Sequence, residues 1–180
     1  IKPNFCFNTT LEIINGVKVV RCASFGTILS LPISVVFFYY FFKYAKKARV
    51  IHFHEPFPLA SMIGFFLNKK NMKNKKIFIT WHSDIIRQKI LKRFVVPMQI
   101  RLCAKANLII ATSENLIKYS KILKIFKSKT IVIPLYIDEK KYIEPKIDMI
   151  EDFKNIPENF VFYFGRLIYY KGIDVLMNSW

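Results

Sequence analysis

Val50-Ile-His-Phe-His-Glu-Pro-Phe-Pro58 and, further on, Ile77-Phe-Ile-Thr-Trp-His-Ser-Asp84 decide the fold class. Each opens with a short run of apolar, β-branched and aromatic residues, which is the pattern of a strand. Pro56 and Pro58 forbid continuation of the first strand. A helix is predicted from Pro58 to about Leu67, and Lys69 to Lys76 is a polar connection to the next strand. The alternation then continues. Ile90, Leu91, Phe94, Val95, Met98 and Leu102 share one helical face, with Lys89, Lys92 and Arg93 on the other and Pro97 expected to kink or break the helix. Asn107 to Ala111 is a strand. Thr112-Ser113-Glu114 caps a helix running to about Phe126, on which Lys118, Lys121 and Lys124 form one stripe. Thr130 to Ile133 is a strand stopped by Pro134. Strands alternating with helices imply an α/β fold with a mostly parallel, doubly wound sheet.

Upstream of this core, Asn15-Gly16 separates two strand-like runs, a strong hairpin signal. Ile28 to Phe42 is apolar and uncharged but shorter than the ~18–20 residues of a spanning helix. It is read as a helix buried against the sheet, with Pro32 in its first turn and Lys43, Lys46 and Lys47 at the negative end of its dipole. Downstream, the chain turns polar from Asp138, with Pro145 and Pro157. Residues 1–140 are therefore expected to form a first domain, 141–158 a linker and 159–180 the beginning of a second domain. In that last segment Phe160 to Phe164 reads as a buried strand and Gly165 as a turn. Arg166 and Lys171 flank a short loop, and Lys171-Gly172 opens a helix. A strand, a Gly-Arg loop and a helix N-terminus together suit a phosphate group.

The chain has 180 residues, 53% hydrophobic, with a formal charge of +17. That charge calls for an anionic partner: nucleotide, nucleic acid or lipid headgroup. The abundance of Lys, Ile, Phe, Asn and Tyr also fits biased codon usage. Cys6, Cys22 and Cys103 are widely spaced and odd in number, which speaks for a reducing compartment and against a disulfide framework or zinc knuckle. A start at Ile1 and a stop at Trp180 inside an amphipathic pattern are read as the bounds of a fragment. In a parallel sheet the site is expected at the carboxyl ends of the strands, and His54, Glu55, His82, Ser83, Asp84, Ser113 and Gly165-Arg166 all stand at such ends.

Five motifs, in this order, carry a resemblance: His52-Phe-His-Glu-Pro-Phe-Pro58, Thr80-Trp-His-Ser-Asp84, Ala111-Thr-Ser113, Val132-Ile-Pro-Leu-Tyr-Ile-Asp138 and Phe164-Gly-Arg-Leu-Ile-Tyr-Tyr-Lys-Gly172. From about Gly16 to Trp180 the chain resembles glycosyltransferase family 4. The resemblance implies GT-B architecture, two Rossmann-like domains across a cleft, with most of the first present and only the start of the second. The family's glycine-rich loop and its E-x7-E region are not in this sequence. The implied reaction is a retaining, hexosyltransferase-type transfer from a nucleotide diphosphate sugar to a hydroxyl. The implied acceptor is lipid-linked or saccharide, in assembly of O-antigen, capsule or lipopolysaccharide. Arg166 and Lys171, with Gly165, match the family's diphosphate-binding residues, and His82 matches its catalytic histidine. His54, Glu55 and Asp84 are expected acceptor contacts. No cofactor and no divalent metal are expected, since the basic pair neutralises the leaving group. The expected location is cytoplasmic, peripheral on an anionic membrane face.

Other readings stand beside these. His52 and His54 share a strand face and, with His82 or Asp84, contain metal-ligating types, although no ligand set is complete. His82, Ser83 and Asp84 have the residue types of a hydrolase triad, but sequence neighbours rarely point at one another as a triad requires. Asp84 is either a helix cap or a substrate contact. Ser113 is better read as a cap. The lysine stripe reads by default as a solvated face. A basic, non-catalytic nucleic-acid-binding module is the alternative function, although the lysines are dispersed and no known binding motif is present.

Overall fold

The computed structural model describes all residues except 2–3, 29–30, 69–73, 86–88, 140–156, 158, 166, 168–170 and 180, together with the side chains of 89–91. It divides into two compact units, Ile1–Leu135 and Tyr136–Trp180.

The first unit begins with small antiparallel pairs. Strand β1 (Phe5–Cys6) pairs with β4 (Ser24–Phe25), and β2 (Thr10–Ile14) pairs with β3 (Val17–Arg21). Between β2 and β3 lie Asn15 at φ 49° and Gly16 at φ 79°. Two successive positive φ values match the right-handed twist of a hairpin and suit Asn-Gly. Strand β5 (Thr27–Ile28) pairs with β6 (Leu31–Pro32). Pro32 therefore ends a strand and does not start the expected helix over 28–42. The helix α1 is Val36–Ala45, and its Phe37, Phe38, Phe41 and Phe42 pack against the core while Tyr39 is exposed. No helix among the described residues is long and apolar enough to cross a membrane.

The centre of the unit is a four-stranded parallel sheet of order β10-β9-β8-β7. Its strands are β7 (Val50–Glu55), β8 (Lys76–Trp81), β9 (Leu108–Ala111) and β10 (Thr130–Val132). Helices α2 (Pro58–Phe66) and α3 (Lys89–Lys105) connect the first three, and α4 (Glu114–Tyr119), α5 (Lys121–Ile125) and a 3-10 turn lead to β10. This mixed α/β arrangement is the Rossmann-like domain that the alternation of elements predicts. The register aligns Glu55 with Trp81, Trp81 with Ala111, and Ala111 with Val132. All four strands consequently end along one edge.

One sheet face carries the core. Ile51, Phe53, Ile77, Ile79, Trp81, Ile109 and Ala111 pack with Ile63, Leu67, Leu102, Cys103, Ile122 and Leu123. Burying each large side chain contributes about 1.5–3 kcal/mol. Alternation in β7 sends Val50, His52 and His54 to the other, exposed face.

Several details depart from the sequence pattern. Helix α3 runs through Pro97 without ending there. Its inward face carries Val95, Gln99, Leu102 and Cys103, whereas Phe94 is exposed. Phe94 lies one residue, about 100° of helix, off that stripe. The expected single helix up to Phe126 is two, because Ser120 closes α4 and its Oγ accepts the N–H of Leu123 to cap α5. Lys118 thus lies on a different helix from Lys121 and Lys124, and the expected single stripe does not form.

Three lysines are committed to the fold. Lys75 Nζ donates to the carbonyls of Lys46 and Ala48 beyond α1, at 2.9 and 2.7 Å. Lys105 Nζ donates to those of Gly64 and Leu67 at the end of α2. Lys129 Nζ donates to those of Ala104 and Ala106 at the end of α3, at 3.0 and 2.9 Å. Each cation satisfies orphan carbonyls at the negative end of a helix. Part of the net charge therefore serves helix termination.

In the second unit α6 (Ile173–Ser179) follows Lys171-Gly172, where the sequence places a helix start. Phe160–Phe164 is not a strand, and Phe164 is 89% exposed. The expected buried strand is corrected on this point. A strand is held by a ladder and a packed face, and among the described residues no strand pairs with this one.

Candidate active site

The carboxyl edge of β7 and β8 brings together His54 and His82, with His52 two residues back on β7. His54 and His82 are both exposed, with Nδ1 of the first and Nε2 of the second 3.0 Å apart. Their rings are nearly parallel, at 13° with centroids 5.3 Å apart. The ring of His52 lies 4.5 Å from that of His54, and its Nε2 is 2.7 Å from Thr80 Oγ1 on β8. Burial, then the neighbouring His52 and His82, push the pKa of His54 below its usual 6.5. The three imidazoles stand in a row. Among the described residues no group of three His, Cys, Asp or Glu side chains could hold a metal ion.

Beneath this exposed row the polar residues are internal. Glu55 is 1% exposed. Its carboxyl oxygens accept from Ser61 Oγ at 2.9 Å, Gln99 Nε2 at 3.0 Å and the N–H of Phe57 at 3.1 Å. Desolvation raises its pKa even though these donors pull it down. An expected acceptor contact is thus placed as the anchor joining β7, α2 and α3. Asp84 is half-buried, and its Oδ1 accepts from Trp81 Nε1 and Ser120 Oγ, both at 2.8 Å. Asp84 therefore ties the end of β8 to the junction of α4 and α5. The helix cap also considered for Asp84 falls on 86–88, outside the described residues. Ser83 is exposed and Ser113 caps α4, accepting the N–H of Leu116 at 3.3 Å.

In the second unit Gly165 has φ 152°, and a Cβ there would lie 3.2 Å from the Tyr163 hydroxyl. The backbone turns at Gly165 in a region that L side chains rarely adopt. Lys171 stands just before α6, and Arg166 lies outside the described residues.

The family model for Glycosyltransferase Family 4 matches residues 5–141. The chain belongs to glycosyltransferase family 4. This family 4 chain is 30% identical over 151 residues to the D-rhamnosyltransferase WbpZ of Pseudomonas aeruginosa, covering 83% of the chain and 39% of the relative. It is 29% identical over 152 residues to the O-antigen chain mannosyltransferase C of Escherichia coli, covering 84% of the chain and 40% of the relative. The chain thus spans about two fifths of the length of these curated relatives. No solved structure matches it.

Within the family 4 chain, sequence reading placed His54 and His82 on one sheet edge but gave no sign that they touch. The sequence likewise gives no sign of the contacts made by Thr80, Ser61, Gln99 and Ser120. Thr80 becomes a partner of His52 only through the β7–β8 register. Gln99 looks like an ordinary polar position on α3 until Glu55, 44 residues earlier, is placed beneath it.

Proposed function

We propose that the full-length protein transfers a sugar from a nucleotide diphosphate donor to a hydroxyl acceptor in cell-surface polysaccharide assembly. One observation carries the reading: an exposed His82, paired with His54, at the carboxyl edge of the parallel sheet in a family 4 chain. Likeness to a rhamnosyltransferase and to an O-antigen mannosyltransferase supports a hexosyl-type donor.

In the proposed reaction the acceptor oxygen bonds to the anomeric carbon as the bond from that carbon to the diphosphate oxygen breaks. The acceptor proton passes to the departing diphosphate, and configuration is retained. Arg166 and Lys171 take the growing charge on the diphosphate, with Gly165 letting the backbone approach, so that no divalent ion or other cofactor is required. His82 is the catalytic residue beside the reacting sugar, donating to a sugar hydroxyl. His54 and Asp84 are proposed to contact the acceptor, and Glu55, held by Ser61 and Gln99, anchors the strand that carries His54. Residues 1–140 would form the acceptor-side domain, 141–158 the linker and 159–180 the start of the donor-binding domain.

The acceptor is proposed to be lipid-linked, with the protein peripheral on the cytoplasmic membrane face. The surface of α1 supports this: Lys43 Nζ lies over the rings of Tyr39 and Tyr40, at 5.7 and 5.5 Å, and Tyr39 is exposed. Aromatic and cationic side chains together suit an anionic lipid interface.

A hydrolysis and transfer screen of the full-length protein over nucleotide sugars tests the reaction. Turnover of one donor is expected, and Arg166→Ala should lose at least ~2 kcal/mol of transition-state stabilisation. No turnover with any donor and acceptor pair would overturn the assignment, and unchanged turnover in the variant would remove Arg166. Binding to vesicles containing anionic lipid, with release by salt, tests the membrane part. Equal binding to neutral vesicles contradicts it.

A further inference from the structure

The short approach between His54 Nδ1 and His82 Nε2 leaves room for one hydrogen, at 3.0 Å. Two facing N–H groups would collide, and two bare nitrogens would repel. In this pair the protonation of one ring therefore dictates that of the other. A histidine's free nitrogen takes its role from the hydrogen bond made by its other nitrogen.

We infer that His54 is the positioning residue of His82: His54 donates its Nδ1–H to His82 Nε2 and so holds His82 as the Nδ1–H tautomer. The direction of donation rests on the proposed function, in which His82 must donate to a sugar hydroxyl. The juxtaposition itself does not. With Nε2 engaged, Nδ1 is the only ring atom of His82 left to donate. The rest of the row favours this neutral arrangement. His52 lies 4.5 Å from the other side of His54, so a proton added to the pair would sit beside a third titratable ring. The lowered pKa of His54, set first by burial, agrees with a neutral ring at that position. The backbone makes the arrangement rigid, because His82 N–H donates to the Glu55 carbonyl at 2.9 Å, next to His54.

The test uses full-length protein labelled with 15N in its histidine rings, without substrate, at neutral pH. Signals are assigned by His52→Gln and His82→Gln, and long-range proton–nitrogen correlations then report the tautomer of His82. The wild type is expected to carry its ring proton on Nδ1. His54→Phe keeps a stacked ring but removes the donor, and His82 should become a mixture of tautomers. His54→Asn returns an amide N–H near the position of Nδ1 and should restore the wild-type pattern. A wild-type His82 protonated on Nε2, or one unmoved by His54→Phe, overturns the inference. The spectra need no donor sugar, so they decide it whether or not the glycosyltransferase reading stands. Where transfer is measurable, His54→Phe should lower kcat on the order of 10- to 100-fold with little change in donor KM, the range for groups that orient a functional side chain.

Discussion

The backbone N–H of His82 donates to the carbonyl of Glu55 at 2.9 Å, one residue past the ladder pair of Glu55 with Trp81. An exposed histidine of the sheet edge is thus registered on the backbone of the residue that carries a buried carboxyl group. A histidine that must hold a set orientation gains from such a base, since positions fixed by packed elements are more exact than positions on free loops. The following predictions concern that base and the row above it.

Glu55→Ala should destabilise the protein by at least about 1–3 kcal/mol. Ser61, Gln99 and Phe57 all donate to the carboxyl group, and alanine would leave these donors without their acceptor in the interior. Denaturant unfolding of wild type and variant measures the difference. An unchanged midpoint would mean that these donors do not hold Glu55 in solution.

Stability should fall on acidification in a way that depends on His54. Its folded pKa lies below 6.5, for reasons of burial and then of the flanking His52 and His82. The unfolded chain consequently binds the proton more readily, and this contribution is present above pH 6.5 and lost as pH falls through the folded value. Melting temperatures across that window should drop less steeply in His54→Gln than in wild type. Identical slopes would refute a role for this histidine.

Asp84 separates structure from chemistry. Asp84→Ala leaves the Trp81 indole N–H and the Ser120 hydroxyl without their acceptor and should cost about 1–3 kcal/mol. Asp84→Asn keeps an oxygen at that position and should fold with nearly wild-type stability. If sugar transfer nevertheless collapses in Asp84→Asn, the charge acts on substrate. If transfer persists, Asp84 is a brace.

Gly64 on α2 packs directly against Leu102 on α3. A Cβ there would lie 3.0 Å from Leu102 Cβ and 3.1 Å from its Cα. Because backbone cannot yield as a side-chain tip can, Gly64→Ala should destabilise by about 1–3 kcal/mol. Thermal unfolding reads this out, and a stability equal to wild type would show that the helices slide apart freely.

The sequence by itself determined the alternation of strands and helices, the Asn15-Gly16 hairpin, the Ser113 cap and the strand edge that holds His54 and His82. Each follows from local chemistry: side-chain periodicity, backbone freedom at two turn residues, one hydroxyl beside free N–H groups. Tertiary structure alone decided which groups meet. Register set His54 against His82 across 28 residues of chain, and packing of α3 brought Gln99 to Glu55. It also decided that Phe160–Phe164, a strand by composition, does not form one, and that Phe94 faces outward while Gln99 faces in. Periodicity states which faces an element has. It does not state which neighbour each face finds, because that depends on the summed fit of elements distant in the chain.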